Sequence, residues 1–367
     1  MSSIAILLPN LCGGGAERVY VYLANEWISR GVSVEFILMH RQGELLPLLG
    51  SGITVTELYS QNIRSLIVPL ASYLRKARPD VLLASMWSLT SAAVISWVLS
   101  GKVGRLFLSD HEHLTRSYLA RHRVKPSFLT HSIRFTYPFA DGIIAVSRGV
   151  KDDLCALGNL SDKKVRVIYN PAATGVSPDR ISSAESEKLW GRGFNNHILA
   201  VGRLSEEKDF KTLIRAFALL SKELHGKLVI LGEGPLREEL KAFVTELGLD
   251  DCIALPGFVR DTYPMYRSAD LFVLCSLWEG FGNVIVEALE CGVPVVSTNC
   301  PGGPSEILED GRYGKLVPIG DPVALAEAMV QSLNEQHDRA ALMLRAQDFS
   351  VRKISDQYLS CMFPESL

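Results

Sequence analysis

The sequence predicts two doubly wound α/β domains, each built on a parallel sheet, and three observations carry that expectation. Near-continuous apolar runs alternate with helical patterns, and strands that are apolar on both faces belong to parallel sheets covered by helices. The alternation stops in a polar stretch, NPAATGVSPDRISSAESEKLWGRGFNN (170–196), which has the Pro, Gly and Ser content of a domain junction, and then restarts. A length of 367 residues also exceeds one ordinary core.

In the first half the strands are IAILLP (4–9), VEFILM (34–39), VLLAS (81–85), RLFLS (105–109) and GIIAVS (142–147), with helices expected from about Ala16 to Arg30 and near 63–77. In the second half they are HILAVG (197–202), KLVILG (227–232), CIALPG (252–257), LFVLCS (271–276), VPVVST (293–298) and KLVPIG (315–320), with helices over 209–223 and 235–247. The expected domains are 1–172 and 173–347. A last segment, 348–367, is expected as a helix crossing back to the first domain, with Phe349, Ile354 and Tyr358 at helical spacing. Open sheets of this kind bind ligands at the carboxyl ends of their strands, so a cleft between the two domains is the expected site.

Composition excludes several classes. With 47% hydrophobic and 21% charged residues the chain reads as globular and ordered. Seven cysteines, an odd number without a C-x-x-C pair, read as reduced thiols of a cytosolic protein. The N-terminal apolar run is short and lacks a basic leader, so export is not expected. The uncharged stretch 81–101 is long enough to span a bilayer, but its many Ser and Thr residues make it a strand followed by a buried helix. The net charge of −2 hides an asymmetry: residues 1–175 carry 19 Lys/Arg against 12 Asp/Glu, and the remainder carries 19 against 28. An anionic partner is therefore expected for the first domain.

Three strand-end loops carry candidate chemistry. LPNLCGGGAERV places Gly13, Gly14 and Gly15 ahead of a helix, where unpaired N–H groups can hold an anion or the glycines can simply make a tight turn. After HILAVG, Arg203 and Lys208 can neutralise a diphosphate without metal, or can be ordinary solvated cations. After LFVLCS comes LWEGFGNVIVEALECG, in which Glu279 precedes a bend at Gly280–Asn283 and Glu287 lies one turn inside the next helix. The N–H groups of Phe281, Gly282 and Asn283 offer an anion site, while carboxylates on either side would repel phosphate and so are expected to accept hydrogen bonds from sugar hydroxyls.

GGGAERV, AVGRLSEEKDF and EGFGNVIVEALECGVPVVSTNCPGGPSEIL together closely resemble family four of the retaining, GT-B-fold glycosyltransferases, in particular members that build bacterial surface polysaccharides and lipid-linked oligosaccharides. The resemblance extends over nearly the whole chain. It implies that Glu287 binds the donor ribose, Glu279 the donor sugar, and Arg203 and Lys208 the diphosphate. LSDHEHL (108–114) resembles the family's strand-end histidine, matched best by His111, beside the transferred sugar; capping of the strand is the plain alternative. Asp110 and Glu112 are the carboxylates available if a base is needed. Phe258 and Val259 are expected near the nucleobase. No D-x-D motif occurs and H-E-H lacks a third ligand, so neither metal nor cofactor is expected, the nucleotide sugar being a substrate.

Residues 114–140 contain Arg116, Arg121, Arg123, Lys125 and Arg134, interleaved aromatics and no acid. Such a surface suits an anionic membrane face or a lipid diphosphate, with a solvated helix face as the alternative and nucleic acid disfavoured by the nucleotide-sugar loops. The function expected from all this is metal-independent, retaining transfer of a hexose or N-acetylhexosamine from a nucleotide sugar to a lipid-linked or saccharide acceptor. The donor is expected to be UDP-linked, with UDP-N-acetylgalactosamine a candidate, and the acceptor to be polyprenyl-diphosphate-linked if it is lipid. The expected location is the inner face of the cytoplasmic membrane. The rivals are a nucleotide-sugar isomerase or hydrolase of the same fold and a non-catalytic nucleotide-sugar-binding subunit.

Overall fold

The computed structural model describes residues 2–121, 125–177 and 179–364, without the side chains of 119–121 and 221–223. The chain divides into two compact units, Met1–Pro171 with Val351–Leu367, and Ala172–Ser350.

The first unit runs β1 (Ser3–Leu8), α1 (Gly15–Ser29), β2 (Ser33–Leu38), β3 (Thr54–Glu57), α2 (Ile63–Ala77), β4 (Val81–Ser85), α3 (Leu89–Leu99), β5 (Arg105–Asp110), α4 (Leu114–Arg121), α5 (Pro126–Thr136), β6 (Gly142–Ala145), α6 (Arg148–Gly158) and β7 (Val165–Val167). Its strands form one sheet in the order β3-β2-β1-β4-β5-β6-β7, with every pairing parallel. Central strands such as Val81–Ser85 are buried at every residue, which is why they read as unbroken apolar runs. The edge strands β3 (TVTE) and β7 (VRV) are short and polar, and apolar patterning did not reveal them. α2 starts in a capping box between Asn62 and Ser65 and ends at left-handed Arg78. α2 packs on α3, α3 on α5 and α5 on α6, so these helices form a row. The uncharged stretch 81–101 is a buried strand and an 11-residue helix, and among the described residues no helix is long and apolar enough to cross a membrane.

The second unit runs α7 (Ser183–Trp190), β8 (Asn196–Val201), α8 (Phe210–Leu224), β9 (Gly226–Leu231), α9 (Arg237–Glu246), β10 (Ile253–Gly257), α10 (Tyr263–Ser268), β11 (Leu271–Leu274), α11 (Asn283–Glu290), β12 (Val295–Thr298), α12 (Pro304–Ile307), β13 (Lys315–Val317), α13 (Pro322–Asn334) and α14 (Arg339–Ala346). Its six strands pair in parallel in the order β10-β9-β8-β11-β12-β13.

The final helix, α15 (Val351–Met362), belongs to the first unit. Ile354, Tyr358 and Met362, spaced four apart, join the core around β1 and α1, where Tyr358 packs on Trp27 with ring centroids 6.0 Å apart. Arg30, which caps α1, donates to Asp356 at 2.5 Å. Phe349, expected on this helix, instead lies ahead of it in the second unit, its ring 5.3 Å from Phe281, because the chain leaves the helical path at extended Ser350.

Candidate functional site

In the second unit, β8 ends in a turn that carries Arg203. Leu204 N–H donates to the Glu233 carbonyl at 2.9 Å and Leu236 N–H to the Leu204 carbonyl at 3.0 Å, so the Gly-Glu-Gly loop after β9 clamps this turn. The spaced glycines directly after a strand were the sequence signal for that clamp, and it was missed. Arg203 is exposed, and among the described residues its guanidinium has no side-chain partner. Lys208 is mostly buried and donates to Glu279 Oε1 at 2.5 Å. Burial alone would depress the Lys208 pKa, but the charge and hydrogen bond of Glu279 outweigh it and hold the ammonium above its ordinary value.

Glu279 is 9% exposed and also accepts from Ser276 Oγ at 2.6 Å. Its backbone N–H donates to the Pro301 carbonyl at 3.0 Å, so the Cys-Pro-Gly-Gly-Pro segment after β12 braces the loop from behind. Phe281 buries its ring, leaving only its backbone at the start of α11, and Gly282 enters that helix at φ 104°. Glu287, half-buried on α11, accepts from the Tyr266 hydroxyl at 2.9 Å. Tyr266 is wholly buried, so it sets the carboxylate's orientation; no sequence pattern pointed to it. Phe258 is 53% exposed just beyond β10, with Val259 half-buried beside it. The structure thus joins Lys208 directly to Glu279 and anchors Glu287 separately. The buried thiols of Cys275 and Cys300 have raised pKa values, chiefly from burial, which keeps them protonated and inert.

In the first unit, Gly14 caps α1 without a side-chain hydrogen bond. The carboxylate of Glu17 lies 2.1 Å from where a Cβ on Gly14 would stand, and that of Glu44 equally close to the Cβ position of Gly13. Two acids therefore lie over the glycine loop, and an anion at Gly14 and Gly15 would first have to displace them. Burial raises the Glu17 pKa, which makes its displacement or protonation easier.

His111 follows β5. Its Nε2 is 2.9 Å from the Tyr20 hydroxyl and 3.3 Å from Ser109 Oγ, and its Nδ1 is buried without a hydrogen bond among the described residues. Burial pushes its pKa down to about 3, so the ring is neutral at physiological pH. Asp110 beside it is 1% exposed and accepts from the Tyr137 hydroxyl at 2.7 Å, which in turn lies 2.8 Å from Thr90 Oγ1. Burial pushes the Asp110 pKa up to about 7, although the Tyr137 bond acts the other way. Glu112 is exposed, and His113 turns away to Asp153 at 3.3 Å. Arg116 is exposed on α4; Arg123 and the side chain of Arg121 lie outside the described residues. Among the described residues no three His, Cys, Asp or Glu side chains are grouped to hold a metal ion.

Residues 13–175 match Glycosyltransferase Family 4, and residues 195–335 match Glycosyl transferases group 1. Among relatives, a Campylobacter jejuni GalNAc-alpha-(1->4)-GalNAc-alpha-(1->3)-diNAcBac-PP-undecaprenol alpha-1,4-N-acetyl-D-galactosaminyltransferase is 28% identical over 98% of each chain. The N-acetylgalactosamine-N,N'-diacetylbacillosaminyl-diphospho-undecaprenol 4-alpha-N-acetylgalactosaminyltransferase of the same organism is 34% identical over 58% of this chain and 56% of its own. The crystal structure of Anabaena HepE with UDP and glucose superposes with a TM-score of 0.80 at 23% identity, covering 98% of this chain and 99% of that one.

Proposed function

Since the chain belongs to the glycosyltransferases of the GT-B fold, we propose that it moves a hexose or N-acetylhexosamine from a UDP-sugar to a polyprenyl-diphosphate-linked or saccharide acceptor, with retention and without metal. UDP-N-acetylgalactosamine is the donor to try first, because the two Campylobacter relatives are N-acetylgalactosaminyltransferases. The observation that carries the reading is the buried Lys208–Glu279 pair beside the start of α11. A phosphate-binding cation and a hydroxyl-binding carboxylate in contact match a donor whose diphosphate and sugar are also in contact.

In this reading the exposed guanidinium of Arg203, the Lys208 ammonium and the N–H groups of Phe281, Gly282 and Asn283 stabilise the departing diphosphate. Glu287, held by Tyr266, takes the ribose hydroxyls, and Phe258 and Val259 lie by the base. Glu279 orients the sugar: with Lys208 and Ser276 on Oε1, it is a positioned acceptor rather than a nucleophile. The bond from C1 to the diphosphate oxygen breaks as the acceptor oxygen bonds C1 on the same face. The acceptor's hydroxyl proton passes to the leaving diphosphate. Neutral His111 serves as a hydrogen-bonding partner of the transferred sugar, while Gly14 and Gly15 contribute to the phosphate only with Glu17 turned aside. No cofactor is required. The acid-free stretch around Arg116, Arg121 and Arg123 keeps the enzyme on the inner face of the cytoplasmic membrane, near a lipid acceptor.

The test is a panel of UDP- and GDP-sugars offered with a polyprenyl-diphosphate sugar and EDTA. Mass gain on the lipid from a UDP-sugar is expected; donor hydrolysis alone, or a strict need for magnesium or manganese, would refute the reading. Calorimetry separates the roles of the side chains. Glu287→Ala should weaken UDP and uridine by a similar amount, about 1.5–3 kcal/mol, whereas Arg203→Ala should weaken UDP far more than uridine. Equal losses with Arg203→Ala would remove that residue from the phosphate site.

A further inference from the structure

The outward side of the helix row α2–α3–α5 is unusually apolar for a surface. Val68 is 72% exposed, Val98 43%, Leu99 49%, Phe128 59% and Phe135 64%. The core does not require this. α5 already buries Leu129 and Ile133 on its inner side, so Phe128 and Phe135, seven apart, form a second apolar stripe facing solvent. α3 carries no charged residue at all, and Arg75 of α2 spends its guanidinium on the Leu99 carbonyl at the helix end.

Charge completes the surface. Between residues 58 and 140 there are eleven Lys/Arg and three acids, Asp80, Asp110 and Glu112. Of the acids, Asp110 is buried and Asp80 is taken up by the N–H and hydroxyl of Ser3. α2, α3 and α5 contain no acid, while Arg64, Lys76, Lys125 and Arg134 stand exposed on or next to them. Glu112 is exposed, but among the described residues none of these four cations has a carboxylate partner, and exposed aromatic and aliphatic side chains among such cations fit a surface that is anionic outside and apolar beneath. A nucleic acid would leave the apolar side chains unused. A second copy of the chain would set cation against cation.

We infer that the outer face of α2, α3 and α5 docks on an anionic lipid bilayer, with Val98, Phe128 and Phe135 inserted at the headgroup level and the flanking cations on lipid phosphates. This deepens the peripheral-membrane reading above and rests on it. It moves the principal contact from the charges of 114–140 to an apolar face on three helices, and so changes the expected salt response: charge contacts weaken as salt screens them, whereas apolar insertion does not.

Vesicles of phosphatidylglycerol and phosphatidylcholine in equal parts, without sugar nucleotide, provide the test. Trp87, whose ring centroid lies 6.1 Å from that of Phe128, is a built-in reporter. Flotation should retain part of the protein at about 0.5 M salt, and brominated lipids should quench tryptophan fluorescence. The triple variant Val98→Ser, Phe128→Ser, Phe135→Ser should lower partitioning about tenfold or more at high salt. Arg64→Gln with Arg134→Gln should lower it mainly at low salt. Unchanged UDP affinity and melting temperature establish that the variants fold. Parent-like partitioning of the triple variant, complete release of the parent by salt, or a dimer that the triple substitution abolishes would each overturn the docking face. Because binding is read without turnover, a chain that floats but transfers no sugar would refute the proposed activity and leave this inference standing.

Discussion

Gly302→Ala is expected to lower kcat/KM by about 100-fold or more, the scale set by an ångström of misplacement in a reactive constellation. A Cβ on Gly302 would stand 2.1 Å from the Glu279 carbonyl oxygen and 2.8 Å from its carbon, and φ there is +125°. Both atoms are backbone, so the loop bearing Glu279 must move. It cannot simply slide outward, because Phe281 two residues on is locked against Phe349. Gly303 presses on the same loop, its Cβ position 2.2 Å from the Phe281 carbonyl oxygen. Gly320→Ala is the control: φ is also positive, at +69°, but nothing lies within 4 Å of the added carbon, so only the conformational cost of about 1 kcal/mol is expected. If the two variants lose the same activity, backbone strain alone accounts for the effect and Gly302 does not brace the site.

The second large effect is on stability against pH, where His111 and Asp110 pull in opposite directions. His111 has a folded pKa near 3, below the 6.5 of an exposed ring. Between those values the unfolded chain binds more protons, so this residue's share of stability is lost as pH falls. Asp110 has a folded pKa near 7, above 3.8, because burial disfavours its charge. There the folded chain binds more protons, so its share is lost as pH rises through the same range. Each shift corresponds to roughly 4–5 kcal/mol at full extent. Denaturant titrations from pH 4 to 8 should therefore show Asp110→Asn gaining stability relative to the parent as pH rises to 7. His111→Asn should lose relative stability over about pH 4 to 6.5. Difference curves that run parallel would mean that neither group is held in its uncharged form.

Much of this was legible in the sequence wherever the local pattern and the tertiary role coincide. The central strands are buried on both faces and so appear as unbroken apolar runs, and α2 matches its expected span from 63 to 77. β3 and β7 escaped because an edge strand with a polar face has no such run. At the candidate site, Arg203, Lys208, Glu279 and Glu287 stand out in the sequence as a spacing. Their supports do not: Tyr266, Ser276 and the Gly302–Gly303 brace come from other strand ends and act through contacts that one-dimensional spacing does not encode. The glycine loop shows the same limit. Its composition left an anion cradle and a tight turn equally open, and spacing did not reveal that Glu17, three residues on, and distant Glu44 fold over it. In 114–140 both the charges and the interleaved aromatics were legible, but not which aromatics face outward: Phe128, Phe135 and Phe139 are exposed, whereas Tyr137 is buried.

The path of the chain through Pro171 and Val351 has a topological consequence. The second unit is a nested cassette: it is one uninterrupted segment, and its two ends meet where Ala173 bridges Ser350 and where the N–H groups of Ala172 and Ala173 both donate to the Phe349 carbonyl. The first unit is the host, closed by a final helix that returns to α1. A single backbone cut at either junction therefore releases neither part, since the other connection persists. An ancestral exchange of the cassette would have needed only two neighbouring joints, leaving every strand pairing of the host intact. Whatever is carried on such an insert can diversify as a block while the host sheet and the helices packed on it are inherited unchanged.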